Sequence, residues 1–211
     1  MTTIKYRAQR WVNRATFPGS TDYWERRYVR GGTSGAGSYG AMAEAKAAFL
    51  NRFVAEQQVQ SVIEFGCGDG NQLALADYPR YTGLDVSRTA VDRCLTRFAA
   101  DPTKSFAWYD PQHWRMPALH AELAISLDVV LHLVEDHLLA RYLRAMSDAA
   151  DQWMVFFTEN QQTSPGDAHV RYRNVEDWSP MLAGWQLAYT ERGPRIRPSD
   201  ADFFVFSRAR T

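Results

Sequence analysis

The chain has 211 residues, 24 Lys and Arg against 24 Asp and Glu, and an apolar fraction of 45%. That length suits one domain with a sizeable core, and the composition excludes a disordered chain. The balanced charge disfavours a protein that wraps nucleic acid nonspecifically, and no run of 18 apolar residues offers a membrane span.

The N-terminal stretch "MTTIKYRAQRWVNR" is basic but has no apolar h-region, so a cytoplasmic protein with reduced thiols is expected. Cys67 and Cys94 show no metal-type spacing, and Asp and His are scattered, so no metal site is expected. Residues 1–40 form a front segment ahead of the main domain, 41–211. It holds the aromatic, arginine-rich "DYWERRYVR" and the loop "GGTSGAGSYG" (31–40). One reading folds it over the site as a lid. The other makes it a surface helix whose Tyr23 and Trp24 pack on the core. The loop from Ser34 to Gly40 could act as a hinge, touch a ligand or only connect.

A helix is predicted from Ala41 to Gln58. Met42, Ala45, Phe49, Phe53 and Val54 form its apolar stripe, with Glu44, Lys46, Arg52 and Glu56 toward water. Strands follow at 61–65 and 81–86, then a helix at 89–100 with Val91, Leu95 and Phe98 on one face. Further strands are predicted at 105–109, 122–128 and 153–158, with a helix from Asp136 to Ala149 between the last two. A short helix near Val175–Leu182 and strands at 185–191 and 202–208 complete the chain. This alternation predicts an α/β fold, a mostly parallel seven-stranded sheet with helices on both faces. The short link before the last strand suits a hairpin and a late antiparallel strand. Ligands of such sheets bind at the carboxyl ends of the strands.

One loop there, "VIEFGCGDGNQ", carries Gly66, Gly68 and Gly70 directly after an apolar strand. Glycines at that density allow a tight turn and close backbone approach to a ligand. Asp85 ends the next strand, 19 residues after Gly66, where a carboxylate can accept hydrogen bonds from a ribose diol. A dinucleotide loop would place its third glycine at position 71, which here is Asn71. Asp69 would repel a pyrophosphate and suit a cation, such as a sulfonium or an amino group.

These residues resemble the class I S-adenosylmethionine-dependent methyltransferases, which have a Rossmann-like fold. "VIEFGCGDG" looks like their first motif, "GLDVS" (83–87) the second, "FAWYD" (106–110) the third and "AISLDVVLHLVED" (124–136) the fourth. The resemblance implies S-adenosylmethionine held by Trp24 from the front segment and by Glu64, Gly66, Cys67, Gly68, Asp69, Asn71 and Gln72. It adds Asp85, Val86 and Ser87, then Tyr109 and Asp110 beside the adenine, then Leu127 and Asp128. "SLDV" stands where amino-methylating enzymes of DNA bases often carry [DN]-P-P-[YF], which disfavours that acceptor.

The front block "YWERRYVRGGTSGAGSYGAMAEAKAAFLNRFV" and the late "HVRYRNVEDW" look like a small bacterial subgroup that includes the phosphonate O-methyltransferase of dehydrophos biosynthesis. This implies a small anionic acceptor, a phosphonate first among them. On their own terms, His169, Arg171 and Arg173 alternate along an extended segment and would share a face as an oxyanion clamp. Arg27, Tyr28 and His132 are the other candidate acceptor contacts, with His132 and Tyr28 the candidate catalytic residues. Rival readings are a sugar-hydroxyl methyltransferase, a nicotinamide-dependent oxidoreductase and a cofactor binder without turnover.

Overall fold

The structure is a computed structural model that describes residues 17–113, 119–196 and 199–209. The basic N-terminal stretch, and positions 197–198 of the late link, lie outside the described residues.

The apolar runs form strands Val62–Phe65 (β1), Tyr81–Asp85 (β2), Lys104–Trp108 (β3), Ala121–Leu127 (β4) and Ala150–Thr158 (β5). Trp185–Glu191 (β6) and Asp202–Arg208 (β7) complete a seven-stranded sheet in the order β3-β2-β1-β4-β5-β7-β6. The first five strands run parallel, and β7 is antiparallel to both β5 and β6. The expected mostly parallel sheet with a late antiparallel strand is therefore present.

The helices are Ser20–Val29 (α1), Gly40–Glu56 (α2), Arg88–Arg97 (α3), Asp136–Ala149 (α4) and Val175–Trp178 (α5). Alternate side chains of the central strands feed two cores. Leu123, Ile125, Val155 and Phe157 meet Met42, Phe49, Leu50 and Phe53 of α2. Ala124, Met154 and Phe156 meet Leu139, Tyr142, Leu143 and Met146 of α4, with Trp178 of α5. No helix among the described residues is long and apolar enough to cross a membrane.

Two expectations need correction. Lys46 does not face water. Its side chain is fully buried and its Nζ lies 2.7 Å from Asp128 Oδ2. The reason is spacing, since Lys46 stands four residues after Met42 and lies in the buried row with Phe49, Leu50 and Phe53. The helix predicted over 89–100 runs over Arg88–Arg97, and its buried face is Ala90, Val91 and Cys94, so Leu95 points to solvent.

Strand order reverses between β1 and β4, so the loops after Phe65 and Leu127 diverge there. A crevice at that point is where α/β sheets bind ligands.

Candidate active site

The loop after β1 is built by glycine. Gly66 and Gly68 have φ of 87° and 59°, a region other residues adopt at a cost of about 1–2 kcal/mol. Space is also missing. A Cβ on Gly66 would overlap Val129, and one on Gly68 would overlap Ser34 Oγ and reach within 3.0 Å of the Tyr28 hydroxyl. Backbone and side chains thus close tightly around one cavity.

That inner cavity is lined by Gly66, Cys67, Gly68, Glu64, Gln72, Asp85, Val86 and Tyr109. Leu127, Asp128 and His132 line it from the β4 side, and Trp24 and Tyr28 from α1. Asp85 is buried, with Oδ2 accepting from Gly68 N at 2.9 Å and Oδ1 from Ser87 N at 2.8 Å. Burial pushes its carboxyl up to about 6, against the pull of those two N–H groups. Burial likewise pushes Glu64 up to about 7, although Tyr81 donates to it at 2.5 Å and Lys46 lies near. Gln72 donates from Nε2 to the Ala43 carbonyl at 3.0 Å, while its buried Oε1 has no hydrogen-bond partner among the described residues. An amide oxygen so placed wants a donor from a ligand. A bond with Cys94, then burial, push the Cys67 thiol well above its ordinary value, which disfavours a nucleophilic role.

The front segment is seated on the rim of this cavity by polar contacts to the glycine loop, to the start of α3 and to the loop before α4. Ser20 donates from N and Oγ to Glu135 at 3.0 and 2.6 Å. Glu25 accepts from Ser87 Oγ and Thr89 Oγ1, and Arg93 donates to the carbonyls of Tyr28 and Gly32. Asp69 accepts from Ser34 N at 2.9 Å and from the Tyr39 hydroxyl at 2.8 Å. Burial alone would raise Asp69, but these bonds hold its carboxyl below the usual range. Burial also raises the Tyr28 phenol, which stays protonated 2.9 Å from Ser34 Oγ.

A second, outer cavity adjoins the first. Trp24, Ser34, Asp128 and His132 line both. Arg27, Tyr39, Leu131, Glu159, His169 and Tyr172 line the outer one. His132 stands at the junction, edge-on to Trp24 at 4.9 Å and stacked with His169 at 5.4 Å. Tyr23 stacks on the other imidazole at 4.4 Å. His132 Nδ1 lies 2.9 Å from the His169 carbonyl, an acceptor only, so Nδ1 carries the hydrogen and Nε2 the lone pair. Burial lowers this histidine to about 4. Arg27 donates to the Thr33 carbonyl at 2.7 Å, and no carboxylate among the described residues forms an ion pair with it.

Several expected ligand residues are engaged elsewhere. Asp69 and Asn71 tie the Ser34–Ser38 loop down and are absent from the inner lining. Asp110 accepts from Gln112 N and faces His113 Nδ1 at 2.7 Å, while Pro111 takes the place on the lining. Ser87 caps α3 through Ala90 N. Arg171 and Arg173 do share a face, but both lie 3.0 Å from Asp136 Oδ1 and also donate to the carbonyls of Leu133 and Val134. They pin their segment to the loop after β4 instead of facing the outer cavity, and only His169 of the expected clamp lines it. Tyr28 lines the inner cavity and not the outer one.

Ser20, Glu159 and Tyr142 were not marked by the sequence, and Lys46 was marked only as water-facing; Ser38 lies in the Ser34–Gly40 loop that the sequence offered as a ligand contact. Glu159 could have been found as the acid that follows the fifth strand on the ligand rim.

The fold and the crevice define a class I methyltransferase. A family model described as a methyltransferase domain matches residues 40–192. The chain belongs to that family, and its methyl donor is S-adenosylmethionine. No curated protein matches the sequence. Three solved structures share the fold at low identity. The N-methyltransferase NodS from Bradyrhizobium japonicum, in complex with S-adenosyl-L-homocysteine, superposes with a TM-score of 0.72 at 16% identity, over 91% of this chain and 100% of its own. The magnesium protoporphyrin IX methyltransferase from Synechocystis gives 0.65 at 15% identity, over 94% and 99%. An amino pentose methyltransferase of calicheamicin biosynthesis from Micromonospora echinaspora gives 0.63 at 15%, over 82% and 94%.

Proposed function

We propose that this enzyme transfers the methyl group to an oxygen of a small anionic acceptor, a phosphonate being the class that fits best. The carrying observation is Arg27, a guanidinium on the wall of the outer cavity that forms no ion pair with a carboxylate among the described residues. Burial lowers His132 to about 4, which favours a hydrogen-bonding role over that of a strong base. An acceptor that arrives already anionic needs no such base.

Bound S-adenosylmethionine supplies an electrophilic methyl group on a sulfonium. On this reading the chain's own work is holding, orienting and excluding water. Asp85 accepts the ribose hydroxyls, Val86, Tyr109 and Pro111 flank the base, and the glycine loop with Gln72 Oε1 takes the amino-acid end. Trp24 and His132 wall the junction. Arg27 holds the acceptor anion in the outer cavity, where it lines the wall and forms no ion pair with a carboxylate among the described residues.

Two outcomes follow. Arg27→Ala should raise the acceptor KM roughly 10- to 100-fold, the loss of one charge-assisted hydrogen bond, with the cofactor Kd changed less than about threefold. An equal loss of both would remove Arg27 from the acceptor site. A methyl-transfer screen over phosphonates, phosphate esters, carboxylates and sugar alcohols tests the class, and turnover confined to neutral hydroxyls would refute it.

Asp85 sets the pH response of the cofactor. Only its ionised form accepts both hydroxyls, and its carboxyl sits at about 6. Affinity for S-adenosylhomocysteine should hold above pH 7 and weaken about tenfold for each unit below 6. His132, neutral above about 4, adds no further acid limb between pH 5 and 8. Titration calorimetry across that range checks both.

A further inference from the structure

We infer that the acceptor carries a cationic amine beside its anionic group, and that Glu159 recognises that amine. This rests on the acceptor site placed above in the outer cavity.

Glu159 follows β5 on the same rim as Asp128 and is 4% exposed. It lines the outer cavity with Arg27. Its Oε1 accepts from Asp200 N at 2.9 Å and its Oε2 from Gln161 Nε2 at 3.1 Å. Both donors are neutral, and each oxygen has capacity for a second hydrogen bond. No Lys, Arg or His among the described residues forms an ion pair with it. The neighbouring rim acid differs, because Asp128 has Lys46 at 2.7 Å.

A buried carboxylate is costly unless paired, and two neutral hydrogen bonds offset only part of that cost. A purely anionic acceptor would add repulsion from Glu159 to this cost. An acceptor with an ammonium group removes both problems. Its anion meets Arg27, its ammonium completes Glu159, and the two charges fix its orientation in the cavity. The same arrangement keeps the amine occupied as a hydrogen-bond donor, so the methyl group goes to oxygen.

The test compares an aminoalkylphosphonate with the alkylphosphonate of equal chain length. Binding is measured by titration in the presence of S-adenosylhomocysteine and turnover with S-adenosylmethionine. The wild-type protein should favour the amine-bearing compound by about tenfold or more in both readouts, the scale of one charge-assisted contact. Glu159→Gln, which keeps the size and can still accept from Asp200 N, should cut that preference below about threefold. Glu159→Ala serves as a second uncharged variant if the first melts early. Equal wild-type binding of the two compounds overturns the inference, as does a preference that survives both variants. A binding preference without turnover of either compound would sink the O-methyl reading and leave the amine site standing. Methyl found on nitrogen by NMR would overturn the assigned orientation.

Discussion

Replacing Lys46 by Met lowers the melting temperature by roughly 6–12 °C. The ammonium is fully buried and its partner Asp128 is about a quarter exposed. Breaking a buried pair by removing one member costs about 3–5 kcal/mol, because a charge is left behind. The partial exposure of Asp128 argues for the low end, about 3 kcal/mol, and a chain of this size loses about 2–4 °C per kcal/mol. The double variant Lys46→Met with Asp128→Asn removes both charges and should recover most of the loss. Calorimetric melts of the wild type, both singles and the double give the coupling directly. If the effects simply add, the pair is not the cause. The double variant should remain a poor enzyme even when stable. Asp128 lines both cavities, its backbone sits at φ 60°, and its carboxylate borders the junction through which we propose the methyl group passes.

Gly68→Ala should weaken cofactor binding by about 100-fold or more. Two effects add. The left-handed backbone costs about 1–2 kcal/mol for any residue with a Cβ. The new methyl group also collides with Ser34 Oγ, which accepts from Asp69 N at 2.9 Å and pairs with the Tyr28 hydroxyl. The loop and the front segment must separate, and the inner cavity loses a wall. Gly184→Ala separates the two effects. Its φ is 82°, and the nearest atom to the added methyl is Arg208 Nη1 at 4.0 Å. It should cost stability alone and leave the cofactor Kd within about twofold. Similar losses of binding in both variants would mean that the effect is global strain.

The sheet was legible because its strands are short apolar runs between helical patterns, and the α4 stripe of Leu139, Leu143 and Met146 appears as expected. The glycine loop was legible because only glycine tolerates that turn. Charge misled the reading wherever a polar residue serves the protein itself. Lys46 looked like a surface residue, although its spacing put it in the core. Asp69 looked like a ligand for a cation, but its lone pairs hold Ser34 and Tyr39. The Arg171 and Arg173 pattern did place both guanidiniums on one face. Sequence spacing could not show that Asp136, more than thirty positions away, sits on that face too. Glu159 shows the converse. Its place after the fifth strand marks it only as a rim acid, and the fold adds that it is buried beside the outer cavity and pairs with no cation among the described residues.

A crystal structure with S-adenosylhomocysteine tests the two-cavity account most directly. The nucleoside should lie against Asp85, Val86 and Tyr109, with the amino-acid end at the glycine loop and Gln72. The sulfur should face the junction at His132, and the outer cavity lined by Arg27 and Glu159 should stay open. Density for the ligand in the outer cavity, or a sulfur turned away from His132, would contradict the account.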